Sequence, residues 1–184
     1  MTQALTHQIV ALIEQDPLRT KVLECVAQLD LPQCYVAAGF VRNLVWDHLH
    51  GFDSPTLLND IDVIYFDRGD YGYQSDIDYE AQLKQRLPEL NWQVRNQANM
   101  HTRNQDKPYQ STLDAMSYWP EKETAIAVKK NCHGRIECIS AFGLESLFHL
   151  KITPNPNRCR DVFEQRVQSK NWLTHWPKLT ISRS

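Results

Sequence analysis

The sequence predicts an α/β (α+β) protein: a mixed β-sheet core with flanking helices, followed by a C-terminal hairpin-plus-helix appendage. Three observations predict it. Apolar residues at helical spacing fill residues 4–29. Short β-branched and aromatic runs then alternate with helical patterns from residue 34 to residue 100, as in folds that interleave strands and helices. Finally, the turn from Lys129 to Gly134 separates two further apolar runs, which is a hairpin signal.

The elements follow in order. Leu5, Ile9, Leu12 and Ile13, then Leu18, Val22, Val26 and Leu29, are mostly three or four residues apart, so one helical face is apolar. Asp16-Pro17 interrupts the pattern and predicts two packed helices, with Pro17 early in the second, where its missing N–H is tolerated. Cys34–Ala38 reads as a short strand, Phe40–His50 as a helix stopped near Gly51, and residues 51–59 as a loop rich in Gly, Asp, Ser, Pro and Asn. Ile61–Phe66 has the composition of a buried strand. Tyr79–Leu90 is a helix on Leu83, Leu87 and Leu90, and Trp92–Met100 is a third strand. A short helix at Leu113–Tyr118, a hairpin of Thr124–Val128 with Arg135–Ser140, and helices at Gly143–Lys151 and Arg160–Lys170 complete the chain. The expected organisation is one domain: N-terminal helices (1–30), a core (31–100) and an appendage (101–184).

Composition narrows the function classes. With 42% hydrophobic and 23% charged residues, the 184-residue chain is ordinary globular protein. The net charge of −2 gives no global basic field for nucleic acid, and no DNA-binding motif is present. No stretch approaches the ~18 apolar residues of a membrane span, and the N-terminus lacks a signal peptide's basic and apolar regions. Cytoplasmic residence is expected. Cys25, Cys34, Cys132, Cys138 and Cys159 form no CxxC pair, so they read as reduced thiols.

The chemistry gathers between Tyr35 and Asp62. Asp60 and Asp62 are two apart where the strand pattern begins, so their side chains share one face. Two carboxylates at the start of a buried strand suit Mg²⁺ or Mn²⁺ ions that carry nucleotide phosphates. Upstream, Gly39 and Phe40 open a helix whose backbone N–H groups suit a triphosphate, and Arg42 adds a cation for it. Buried strand carboxylates are costly without cations, which favours a metal role over a structural one.

The runs G-F-V-R-N (Gly39–Asn43) and D-I-D-V (Asp60–Val63) resemble the signature of the polymerase-beta-like nucleotidyltransferase superfamily. The form is close to that of tRNA CCA-adding enzymes and poly(A) polymerases, and closer still to small bacterial nucleotidyltransferase-like proteins of undefined substrate. The runs 96–101, 108–125, 141–150 and 154–158 resemble that family too, so the resemblance covers about residues 30–170. It implies a nucleotidyltransferase-type sheet and transfer of a nucleoside monophosphate from an NTP to a hydroxyl of a small molecule, protein or RNA. It assigns Asp60 and Asp62 as catalytic metal ligands, and Gly39, Phe40 and Arg42 as nucleotide-binding residues.

The chain departs from the superfamily pattern in three places. Ala38 replaces the first glycine of the usual pair, Asn43 replaces the aspartate after Val-Arg, and the strand after the second core helix has no acid. Gln93 stands where the third carboxylate is expected, with Asp114 and Glu137 as alternatives on later elements. These departures motivate a second reading: a degenerate fold that binds a nucleotide or partner without turnover. Elsewhere, Asp76 reads as a helix N-cap, and His101 as structural. Lys129-Lys130 and Arg158–Arg160 read as solvated faces, and Trp92, Tyr109, Tyr118 and Trp119 as core residues rather than base-stacking ones.

Overall fold

The computed structural model describes residues 2–182. Helices α1 (Thr2–Glu14) and α2 (Pro17–Ala27) form on either side of the Asp16-Pro17 break. Asp16 caps α2 by accepting the Arg19 N–H at 3.0 Å, and Pro17 takes the first helical position. Arg19 is buried and donates its Nε–H to the Phe40 carbonyl at 2.8 Å, which fixes α2 to the helix that follows the first strand.

Strands β1 (Tyr35–Ala37), β2 (Ile61–Tyr65) and β3 (Trp92–Asn96) are joined by helices α3 (Gly39–His50) and α4 (Gln74–Arg86). Further on come α5 (Gln97–Asn104), α6 (Thr112–Met116), β4 (Ile126–Lys130) and β5 (Ile136–Ser140). The five strands form one mixed sheet in the order β3-β2-β1-β4-β5, in which only β2 and β3 are parallel. The two-residue period gives the sheet two different faces. Val36, Ile61, Val63, Val94, Ile126 and Val128 point to the main helical core. Ala37, Asp62, Ile64, Gln93 and Arg95 alternate with them on the opposite face, where α5, α6 and the C-terminal helices stand.

The structure corrects several boundaries. Residues 97–100, expected as strand, open α5, because the Asn96 side chain accepts the Ala98 N–H at 3.1 Å and caps a helix there. Helix α4 starts at Gln74 rather than Tyr79, and its cap position is Tyr73, not Asp76. Asp76 lies inside the first turn, 2% exposed, accepting the Tyr65 hydroxyl at 2.9 Å and the Asn96 N–H at 3.0 Å. One turn further on, Glu80 accepts the Val94 N–H at 2.8 Å. Two carboxylates of α4 thus bond the outward N–H groups of β3, the strand at the end of the sheet.

After β5 come α7 (Glu145–Phe148), β6 (Lys151–Ile152), α8 (Arg160–Lys170), α9 (Trp172–His175) and β7 (Thr180–Ile181), with β6 and β7 paired in parallel. The C-terminal arm is packed into the main core through Trp172, Trp176 and Leu179. Trp172 and Trp176 meet Trp46 of α3 edge-on, at centroid distances of 5.9 and 5.1 Å. Asp47, 3% exposed, holds this junction. It accepts the Trp176 Nε1–H at 2.8 Å, and the Thr56 N–H and hydroxyl at 2.7 and 2.6 Å. Among the described residues no helix is long and apolar enough to cross a membrane.

Candidate active site

On the polar face of the sheet lies a cleft of about 990 Å³. Its floor is Asp62, Ile64, Gln93 and Arg95, and its walls are the start of α3, the loop before β2, α5, the turn after α6, and the α8–α9 arm. Asp60, Asp62, Gly39 and Arg42 all line it, so the sequence-predicted residues are brought together. Phe40 is not among the lining residues. The whole residue is buried, backbone included, so the cleft does not present it to a ligand.

Asp60 immediately precedes β2 and accepts an Asn91 Nδ2–H at 2.5 Å. Asp62 sits between Ala37 of β1 and Gln93 of β3 in the sheet register. Burial pushes its carboxyl above the ordinary carboxylate value, the charge of Asp60 adds to that, and Arg42, Lys170 and Arg166 oppose it. Gln93 lies beside Asp62 on the same face, where its Oε1 accepts an N–H from Arg95 at 2.9 Å. Arg95 also pairs with Glu80 at 2.5 Å. The third position therefore holds an amide backed by a guanidinium.

Helix α3 begins at Ala38, whose φ of 56° and ψ of −120° form a backbone turn that L-residues rarely adopt. Among the described residues no side chain caps this end of the helix. A Cβ at Gly39 would lie 3.5 Å from Arg42 Nη2 and from Asn43 Nδ2, so glycine keeps the space in front of both open. The Arg42 guanidinium is 7% exposed and lies 5.1 Å from the Trp46 ring and 4.6 Å from the Trp172 ring. It donates to Thr124 Oγ1 at 2.8 Å and to Asn43 Oδ1 at 3.0 Å. Burial draws its pKa down to about 10, and its Nε–H has no partner. Among the described residues no carboxylate forms an ion pair with it.

The α8–α9 arm supplies residues that the sequence reading did not anticipate: Arg166, Lys170 and Trp172. Arg166 is braced by buried Glu121 at 2.5 Å. Arg158, expected on a solvated face, lines the cleft and pairs with Asp106 at 2.5 Å. Asp114 does not line it; its carboxylate accepts the Gln110 N–H at 2.8 Å at the start of α6. Glu137 lies on the terminal strand β5, bonded to Asn131 and Lys129. His101 stays outside, bonded to the Ala98 carbonyl. Trp92 and Tyr109 are buried core, whereas Tyr118 and Trp119 line the cleft.

The donor set can be tested against a divalent ion. Asp60, Asp62 and the Gln93 amide offer hard oxygen ligands only, and two adjacent carboxylates raise each other's cost without a cation. Among the described residues no group of three or more His, Cys, Asp or Glu side chains could hold an ion by itself. That set fits Mg²⁺, which keeps waters and shares substrate phosphates instead of demanding an all-protein cage.

A protein whose NMR structure reveals a CCA-adding enzyme head domain is 30% identical, superposes with a TM-score of 0.83, and the match covers 97% of this chain and 96% of that one. A CCA-adding enzyme in complex with CTP (14% identity, TM-score 0.60) and the Thermotoga maritima CCA-adding enzyme complexed with tRNA (15%, 0.59) share the fold; each match covers 97% of this chain. The chain spans only 43% and 42% of those two proteins. No curated protein sequence matches it. The nucleotidyltransferase family profile matches residues 24–181. With both strands of the Asp-Ile-Asp site and the α3 start inside that span, the chain belongs to the nucleotidyltransferase family.

Proposed function

We propose that the protein is a Mg²⁺-dependent (or Mn²⁺-dependent) nucleotidyltransferase that moves a nucleoside monophosphate from an NTP to a hydroxyl acceptor, with two ions held by Asp60 and Asp62. One observation carries the reading: a half-buried carboxylate and a buried guanidinium that forms no ion pair among the described residues face the same cleft, beside an uncapped helix N-terminus. Each is costly alone. A metal–triphosphate satisfies all three at once.

Bound ions would neutralise the charge that builds on the attacking hydroxyl and on the departing pyrophosphate. The chain's own groups hold and orient the donor. The backbone N–H of Gly39, at the start of α3, meets phosphate oxygens along the helix dipole. Arg42 adds donors from a guanidinium already fixed between two indoles, so little rotamer freedom is lost on binding. Arg166 and Lys170 face the same space from the opposite wall. CTP and ATP complexes of CCA-adding enzymes support an NTP as donor. The acceptor is a small molecule, a protein or an RNA, reached from the side of residues 56–59 and His175.

The alternative, a binding module without turnover, draws on one observation. The third position carries Gln93 bonded to Arg95 instead of an acid. A single experiment separates the two. Thermal stabilisation by each NTP should require Mg²⁺ and should vanish in Asp60→Asn and Asp62→Asn, and pyrophosphate release should follow with a suitable acceptor. Binding without release favours the module. Undiminished Mg²⁺-dependent binding in both variants overturns the site.

A further inference from the structure

Two stretches with no assigned role, 108–125 and 154–158, come together at one end of the cleft. The structure uses them to build a platform. Asn155, 2% exposed, donates to the Ser117 carbonyl at 2.7 Å and to the Trp119 carbonyl at 2.6 Å. Its own N–H bonds the Pro120 carbonyl at 2.9 Å. Arg158 donates to the Tyr118 carbonyl, grips Asp106 with both terminal nitrogens, and lies 5.7 Å from the Tyr118 ring. The backbone beneath Tyr118 and Trp119 is therefore fixed from two directions, while both rings still line the cleft. Rigidity of this kind in an aromatic side chain lowers the entropy cost of stacking a ligand ring on it.

The platform also lies at a suitable distance from the phosphate site. Trp119 packs against the cluster that contains Ala38, the turn before α3, and Ile64 of β2. Ile64 is two residues beyond Asp62 on the same strand face, roughly 6.6 Å along β2. Arg95 is the register partner of Ile64, and Gln97 follows two residues later, so the cleft continues from the carboxylates over Ile64 toward α5. Gln97 is 4% exposed and lines this end. One Nε2–H bonds the Arg95 carbonyl at 3.2 Å, which leaves Oε1 and the second Nε2–H for a ligand. The opposite end, at Thr56–Asn59, Lys170 and His175, offers polar and cationic groups, and its tryptophans are buried.

We propose that the donor's nucleoside lies along β2 toward α5, with its base stacked on Trp119 and its edge bonded by Gln97. This rests on the reading of Asp60 and Asp62 as the phosphate and metal site. With an acceptor and a donor both free, the Gln97 amide can pair with the polar edge of any base, so it holds the base in place without choosing among bases. The acceptor molecule then enters from the Lys170 and His175 end.

The test titrates non-hydrolysable analogues of ATP, CTP and UTP, and inorganic tripolyphosphate, each with Mg²⁺, into the wild-type protein and its variants. The wild type should bind all three nucleotide analogues more tightly than tripolyphosphate. Trp119→Ala should weaken the ATP and CTP analogues by about tenfold, the scale of one base–aromatic stack, and leave tripolyphosphate unchanged. Trp119→Phe should keep most of the affinity, and Gln97→Leu should weaken every nucleotide analogue severalfold while leaving tripolyphosphate unchanged. Tripolyphosphate binding also reports that each variant is folded. If tripolyphosphate binds and is lost in Asp62→Asn, yet Trp119→Ala leaves every nucleotide unaffected, the phosphate site stands and the base site falls. Unchanged nucleotide binding in Gln97→Leu overturns the role of Gln97. Failure of every triphosphate to bind overturns both readings.

Discussion

Replacing Asp47 with alanine asks whether one buried carboxylate holds the C-terminal arm and the loop before β2 onto α3. Asp47 accepts three hydrogen bonds: Thr56 N–H at 2.7 Å, the Thr56 hydroxyl at 2.6 Å and Trp176 Nε1–H at 2.8 Å. Bonds to a charged acceptor contribute roughly 1.5–3 kcal/mol each, and bonds sharing one acceptor are not additive. The low end of that range gives a loss of about 4 kcal/mol. For a chain of this size that lowers Tm by roughly 8–16 °C. Asp47→Asn keeps an oxygen for the hydroxyl and the indole but turns an NH₂ toward the Thr56 N–H, so it should cost about 2 kcal/mol. Urea unfolding followed by tryptophan fluorescence reads both values, because Trp46, Trp172 and Trp176 meet at this junction. A loss below about 1 kcal/mol in Asp47→Ala, at an unchanged m-value, would refute the anchoring role. Equal damage by asparagine and alanine would show that charge, not the three bonds, is what matters.

Three further outcomes are expected. Arg42→Met fills the space between Trp46 and Trp172 without the charge, and should weaken triphosphate binding by roughly 1.5–3 kcal/mol, more than it weakens monophosphate; equal losses would make the residue structural. Gln93→Glu places a carboxylate beside Asp62 and within reach of Arg95, so the variant should fold and bind Mn²⁺ about tenfold more tightly; unchanged metal affinity in a folded variant would show that position 93 does not coordinate. Glu123 is 2% exposed, and burial raises its carboxyl above the ordinary 4.5 despite hydrogen bonds from Ser146 and Thr153. Its contribution to stability is thus full below about pH 4.5 and is lost as pH rises through the raised value. Glu123→Gln should match the wild type near pH 4 and exceed its Tm near pH 7, and a gap that narrows with rising pH would contradict this.

The parts of the site that are legible in sequence are the local ones. Asp60 and Asp62 follow from a two-residue period, and Gly39 and Arg42 from a strand, a tight turn and a helix start. All four line one cleft. The register of Gln93 with Asp62 also follows once β2 and β3 are neighbours. Residue type alone is a weaker guide. Asp114 and Glu137 were candidates because they are acids, but sheet order puts Glu137 three strands from β2, and Asp114 is spent at the start of α6. The α8–α9 wall was not legible, because it depends on pairs far apart in the chain: Arg166 with Glu121, 45 residues away, and Trp176 with Asp47, 129 away. A lysine or arginine on a polar helix looks the same whether it faces water or a cleft. The start of α5 did leave a signal, since Asn96 is a favoured capping residue, but the alternating pattern of residues 92–100 masked it.

The carboxylates of α4 that bond the edge of β3 also bear on how the molecule behaves among its own copies. A terminal strand with open N–H groups is a template on which another chain can add a strand and begin to aggregate. With Glu80 on the Val94 N–H and Asp76 on the Asn96 N–H, that template is already occupied from within the same chain. Loss of either side chain would uncover it. Variants such as Glu80→Ala would then fail through self-association at high concentration, even while the cleft on the other face of the sheet remained intact.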